Sequence, residues 1–223
     1  MKARPILFFS AAASLIFLCA SLYTSADWTA ILKVASISLL AALGFCVSDL
    51  LGIALTLGAI GDLLLGVSRL GVFGPDQLFL GGLAAFLLGH LVYIVMFAKL
   101  LPRNWARHDP LCELGLIAVL ATLGLVLATI QHSLGPLLVP VIVYALILAT
   151  MATTALLADL GNQLAAIGAL CFVASDAMLA MAKFRGPFAL SAPLIWVTYY
   201  LAQLLICLGF ARYQDRKARR QTA

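Results

Sequence analysis

The sequence predicts an all-α integral membrane protein with eight transmembrane helices and both termini in the cytoplasm. Three observations lead there. Of 223 residues, 64% are apolar and only 10% charged, and the mean hydropathy is +1.11, beyond the range of soluble globular domains. Apolar stretches of about 20 residues recur along the whole chain, each long enough to cross the hydrocarbon core as a helix. Basic residues gather beside alternate ends of these stretches, the bias that orients a membrane protein.

The first span, 5–24, follows Lys2 and Arg4. Its apolar run, about 18 residues, is long for a signal peptide cleaved after Ala26 and adequate for a helix, so it reads as a span. The second, 28–45, carries Lys33 inside it. Only "GFCVSDLLG" separates it from the third, 50–68, with Ser48, Asp49 and two glycines as the break. The turn "RLGVFGPDQ" leads into the fourth, 77–99. The longest connection, "KLLPRNWARHDP" from Lys99 to Pro110, holds most of the loop charge and precedes the fifth, 111–130. Spans 136–157, 163–184 and 190–211 complete the set. No stretch is left for a soluble domain, so 1–223 reads as one transmembrane domain with a basic cytoplasmic tail, 212–223.

With the N-terminus inside, the cytoplasmic side collects Lys2, Arg4, Lys99, Arg103, Arg107, Arg212, Arg216, Lys217, Arg219 and Arg220. The outer side has Arg69, Lys183 and Arg185, so the count is ten against three. The net charge of +5 therefore belongs to the bilayer surface, and no nucleic-acid partner is expected. The tail "RYQDRKARR" reads as a stop signal before it reads as a lipid-recognition element. The five cysteines lie scattered without C-x-x-C spacing, as small core residues rather than disulfides or metal ligands. The expected location is the inner (cell) membrane of a bacterium.

Seven of the nine acids, Asp27, Asp49, Asp76, Asp109, Glu113, Asp159 and Asp215, fall in loops or at helix ends. Asp62 and Asp176 do not. A carboxylate inside the bilayer costs several kcal/mol, which makes each a functional-site candidate. At 1.5 Å per residue Asp62 lies roughly 18 Å and Asp176 roughly 20 Å from the inner edges of their spans, so the two are level. "GDLLL" and "SDAML" sit four helices apart in the same orientation, which hints at a duplicated four-helix unit. Gly58, Asp62 and Gly66 form an i, i+4, i+8 stripe of small residues, so Asp62 is expected to face protein.

Other polar groups at membrane depth extend the candidate site: Lys33, His90, Tyr93, Tyr144, Tyr199, Tyr200 and Gln203. His90 and Tyr93 share a helix face, as do Tyr200 and Gln203. Each alone is also what ordinary helix packing uses, and Lys33 is near enough to the surface to snorkel. No metal is expected, because His108 and His132 fall in loops and only His90 remains for a zinc site. A proton-coupled transporter or lipid-binding protein could use the same aspartates, but paired Gly/Pro-interrupted short spans are missing. An intramembrane aspartyl protease would need G-x-G-D where this chain has "GAIGD".

"KV" at Lys33, "GDLLL" from Gly61, "FLGGLAAFLLGHLVYIVMF" from Phe79, "PVIVYALILATM" from Pro140, "IGALCFVASDAMLAM" from Ile167 and "YYLAQLLI" from Tyr199 occur in that order. Together they resemble the YhhN family of multi-pass membrane proteins, over about residues 30–211. That family includes lysoplasmalogenases, which hydrolyse the vinyl ether bond of lysoplasmalogens. The resemblance implies eight transmembrane helices, a lysophospholipid substrate and an active site drawn from Asp62 and Asp176. Family members often have Pro after the second-helix Lys; here Val34 follows Lys33. Vinyl ether cleavage needs a proton donor and a group that directs water to the resulting cation. Two close carboxyls at low dielectric cannot both ionise, so one would stay protonated as acid while its partner keeps the charge. His90, Tyr200 and Gln203 would orient the carboxyls or the glycerol hydroxyl, Lys33 would meet the headgroup phosphate, and no cofactor is needed.

Overall fold

A computed structural model of the chain describes residues 3–23, 29–68, 75–102 and 110–222. The long elements among them are all helical: α1 Ala3–Tyr23, α2 Thr29–Val47, α3 Asp49–Ser68, α4 Pro75–Ala98, α5 Pro110–Ile130, α6 Leu138–Leu157, α7 Leu164–Phe184 and α8 Ser191–Gln221. Two short 3-10 turns, Gln131–Ser133 and Gly135–Leu137, link α5 to α6. Among the described residues eight helices are long and apolar enough to cross a membrane. Hydrocarbon offers no partner for a backbone N–H or C=O, so each span must close its hydrogen bonds within itself, as a helix does.

These helices match the eight expected spans one to one, with two informative details at their ends. The break between the second and third spans is the single residue Ser48, whose N–H reaches Gly44 O at 2.8 Å while Gly52 N reaches Ser48 O at 3.0 Å. The eighth helix continues through the tail to Gln221, beyond the expected end at 211. "RYQDRKARRQ" contains strong helix formers and neither Gly nor Pro, so nothing stops the helix at the membrane surface. The expected placements of Lys2, Asp27, Arg69, Arg103, Arg107, His108 and Asp109 lie outside the described residues.

The chain divides into two compact units, Met1–Tyr93 and Ile94–Ala223. In the first, α2 and α3 run antiparallel at very close range. A Cβ built on Gly44 would stand 3.1 Å from Gly52 Cα, so the tight Ser48 turn depends on these two residues lacking side chains. Farther along the same seam, Gly66 faces Ala30, the added Cβ coming 3.4 Å from Ala30 Cβ. Ser10 Oγ donates to Ser36 O at 2.8 Å, fastening α1 to α2. The α3–α4 contact is also built on a small residue, since a Cβ on Gly61 would fall 2.6 Å from the Phe86 ring.

In the second unit, α7 and α8 form the corresponding close pair. A Cβ on Gly168 would meet Ala202 O at 2.8 Å, and one on Gly209 would meet Ala165 N at 2.9 Å. The α6–α7 turn is locked by side chains: Asn162 Nδ2 donates to Gly209 O at 3.1 Å, Arg216 Nη1 donates to Gly161 O at 2.7 Å, and Arg216 Nη2 donates to Leu160 O. Gly161 adopts φ +62°, a left-handed conformation in which a side chain would be strained. Large apolar side chains such as Phe8, Leu120, Leu125 and Leu146 remain exposed, as lipid-facing surfaces require.

The α7–α8 contact yields a test. Gly168→Ala puts a methyl against a backbone carbonyl, so it should destabilise the purified protein by roughly 1–3 kcal/mol in detergent. Gly124→Ala, where an added Cβ meets nothing within 4 Å, is the control and should leave the thermal midpoint near that of wild type.

Candidate active site

Asp62 lies on α3 about 20 Å along the axis from Asp49. One turn farther along α3, Gly66 meets Ala30 of α2. Lys33 Nζ stands 2.7 Å from Asp62 Oδ1, with Asp62 1% and Lys33 23% exposed. The small-residue stripe therefore does turn Asp62 toward protein. Lys33 extends its ammonium to the aspartate. Ser36 Oγ donates to the Lys33 carbonyl at 2.8 Å, within the same helix. His90 and Tyr93, on α4 of this unit, are each 1% exposed.

Asp176 lies on α7 about 18 Å along the axis from Leu164, and is half-buried. The Tyr144 hydroxyl of α6 donates a hydrogen bond to its Oδ2. One residue earlier, Ser175 Oγ donates to Ile195 O of α8 at 3.1 Å, which fixes the rotation of α7 at this level. In each unit, then, the intramembrane aspartate takes a partner from the helix that precedes its own: an ammonium in one case, a phenol in the other.

The remaining candidates sit on α8. Gln203 Nε2 donates to Tyr199 OH at 3.3 Å, and both side chains are buried. The Tyr199 ring meets Phe172 edge-on, centroids 5.5 Å apart, and lies 5.8 Å from Trp196. Trp196 in turn lies 5.9 Å from Tyr200. Trp196 and Phe172 were not among the expected site residues. Both had a signal: Trp196 precedes Tyr199 and Tyr200 by three and four positions, and Phe172 precedes Asp176 by four, so each shares a helix face with a candidate.

Chemically, the first unit offers a buried carboxylate neutralised by an ammonium. The second offers a carboxyl hydrogen-bonded by a phenol, and an aromatic cluster on α7 and α8. Acidic side chains held inside apolar helices, each with an identified partner, belong to a multi-pass membrane protein with polar groups at membrane depth. This chain belongs to the YhhN family, whose profile matches residues 28–210 and so takes in all nine candidate residues.

Among its relatives is a lysoplasmalogenase of Mycobacterium bovis, 40% identical over 160 residues, covering 70% of this chain and 58% of the relative. Lysoplasmalogenase TMEM86B of Homo sapiens is 36% identical over 134 residues, 60% of this chain and 54% of its own length. Lysoplasmalogenase TMEM86B of Rattus norvegicus is 32% identical over 161 residues, 71% of this chain and 60% of its own. The chain thus spans somewhat more than half the length of the curated relatives it matches. No solved structure matches it.

The ion pair has a measurable signature. Lys33→Met should lower stability by about 3 kcal/mol, because it leaves a buried carboxylate without its ammonium. Lys33→Met combined with Asp62→Leu should recover most of that loss, since both charges then leave the apolar interior together. Thermal unfolding of the two variants in detergent checks the pattern.

Proposed function

We propose that this chain is a membrane-embedded hydrolase that cleaves the vinyl ether bond of a lysoplasmalogen to a fatty aldehyde and a glycerophospho-alcohol. The observation that carries the reading is membership of the YhhN family across 28–210, with relatives named lysoplasmalogenase at 36–40% identity. The acid–base groups of the proposal are Asp62 and Asp176, the two acids that lie well inside apolar helices.

A vinyl ether is hydrolysed through carbon protonation. A carboxyl proton adds to the β-carbon of the double bond, whose π electrons form the new C–H bond. The ether oxygen shares its lone pair with the α-carbon, giving an oxocarbenium ion. Water attacks that carbon and yields a proton to a carboxylate, forming a hemiacetal. Its carbon–oxygen bond to glycerol then breaks; the hydroxyl loses its proton, the glycerol oxygen gains one, and aldehyde and alcohol separate. The step that builds positive charge needs a donor and a stabilising anion, which two carboxyls in different protonation states supply. Such a reaction uses no redox or electron-sink chemistry, so the side chains on these helices are sufficient for it. An alkenyl chain dissolves among apolar helices while the polar head stays near the surface, which suits a reacting bond at aspartate depth.

Lys33 holds Asp62, and His90, Tyr200 and Gln203 are candidates to orient the carboxyls or the glycerol hydroxyl. The proposed setting is a bacterial cell membrane with both termini in the cytoplasm, supported by the ten-to-three division of basic residues. A green fluorescent protein joined after Ala223 should then fluoresce in a bacterial host, and a secreted alkaline phosphatase joined there should stay inactive. The reverse result would invert the topology.

The decisive assay is aldehyde release from a lysoplasmalogen by purified wild type, Asp62→Asn and Asp176→Asn, each confirmed monodisperse. Wild type should be active, and each variant should lose more than about 100-fold, roughly 2.7 kcal/mol of transition-state stabilisation. A wild type inert toward both choline and ethanolamine headgroups would remove the hydrolase reading.

A further inference from the structure

The two intramembrane acids carry partners of different chemistry, and that difference separates their roles. Asp62 is 2.7 Å from an ammonium, in a site where it is 1% exposed. An ammonium at this distance stabilises the anion, because the two opposite charges are held together where water reaches the carboxylate hardly at all. A group that must begin the reaction by giving up a proton cannot be the one held as an anion. Asp176 instead receives a hydrogen bond from a neutral phenol, Tyr144, at Oδ2. A phenol stabilises a carboxylate less than an ammonium does, so of the two acids Asp176 is the one that can hold a proton at the smaller cost.

Resting on the lysoplasmalogenase reading above, we propose that Asp176 is the proton donor to the vinyl ether carbon and that Tyr144 is the residue that positions it and stabilises the charge it acquires. When the carboxyl proton passes to carbon, the electron pair of the broken O–H bond stays on the carboxyl, which becomes a carboxylate. The Tyr144 O–H···Oδ2 bond is stronger to that carboxylate than to the neutral carboxyl. Its stabilisation therefore grows along the reaction coordinate, which raises kcat and leaves ground-state binding nearly unchanged. At the end of the cycle the proton that water gave up returns to Asp176, and the carboxyl is regenerated.

The arrangement around the pair fits a group kept in one orientation. Ser175 Oγ ties α7 to Ile195 O at 3.1 Å, immediately before Asp176, so the carboxyl cannot rotate away with its helix. Tyr144 comes from α6, where it is buried, so two helices besides α7 define the direction of the acid. A tyrosine that only fastened α6 to α7 would do so as well with an asparagine at 176.

The test uses the full chain in detergent with a choline lysoplasmalogen. Tyr144→Phe keeps the ring and deletes the hydroxyl. Its kcat should fall by about 100- to 1000-fold with KM within about threefold, the range seen when a single charge-stabilising donor is removed. The solvent deuterium isotope effect on kcat should stay normal and large, because proton transfer to carbon remains rate-limiting. A folded Tyr144→Phe with kcat within about threefold of wild type, or with the loss confined to KM, would overturn the role of Tyr144. If Tyr144→Phe does not fold, 3-fluorotyrosine placed at position 144 supplies an isosteric, stronger donor. It should change kcat by at least about twofold at constant KM, and an unchanged kcat would again overturn the proposal. Wild-type inactivity toward lysoplasmalogens fails the underlying hydrolase reading; active wild type with indifferent Tyr144 variants fails this inference alone.

Discussion

The absence of water in the hydrocarbon is the constraint on which the rest of this structure depends. A backbone that cannot bond to solvent must bond to itself, and eight successive apolar stretches therefore become eight helices. The same constraint acts on side chains. Once Asp62 and Asp176 are committed to the interior of α3 and α7, each requires a partner supplied by a neighbouring helix, and each has one. Lys33 and Tyr144 are thus as much a consequence of the solvent as the helices are.

Close approach of the helices makes those partnerships geometrically available. Lipid tails are as apolar as leucine, so helices gain little from merely burying apolar faces against one another and associate through fitted contact and polar bonds. Gly44 and Gly52 bring α2 and α3 together at the Ser48 turn, and the seam continues past Ala30 and Gly66. Along that seam Lys33 reaches Asp62 across one helix-to-helix gap. In the second unit Gly168 and Gly209 draw α7 onto α8, and Ser175 sets the rotation that turns Asp176 to Tyr144. Small residues place the backbones, and the backbones place the chemistry.

The two intramembrane acids also have unlike partners. An ammonium and a phenol treat a carboxyl differently: the first cancels a full charge, the second stabilises charge only as it develops. In the vinyl ether hydrolysis proposed above, that difference would suit carbon protonation followed by attack of water. The aromatic cluster of Phe172, Trp196, Tyr199 and Tyr200 packs α7 against α8 through ring contacts.

By itself the sequence determined the helices and their number, because span length and hydropathy are local properties that the bilayer reads directly. It also singled out Asp62 and Asp176, since a charge in an apolar run is visible without any neighbour, and the Gly58–Asp62–Gly66 spacing gave the direction Asp62 faces. What it could not settle was which group each acid meets. Lys33 was as suited to a phosphate or the surface as to Asp62, and Tyr144 was one tyrosine among several at membrane depth. Trp196 went unremarked although its spacing from Tyr199 and Tyr200 was legible, and the tail's helical continuation to Gln221 was hidden behind a charge run. These were decided by tertiary structure, because a partner across an interhelical gap depends on the rotation and register of two helices. Those are fixed by contacts such as Gly44 on Gly52 and Ser175 on Ile195, between residues that no local pattern relates.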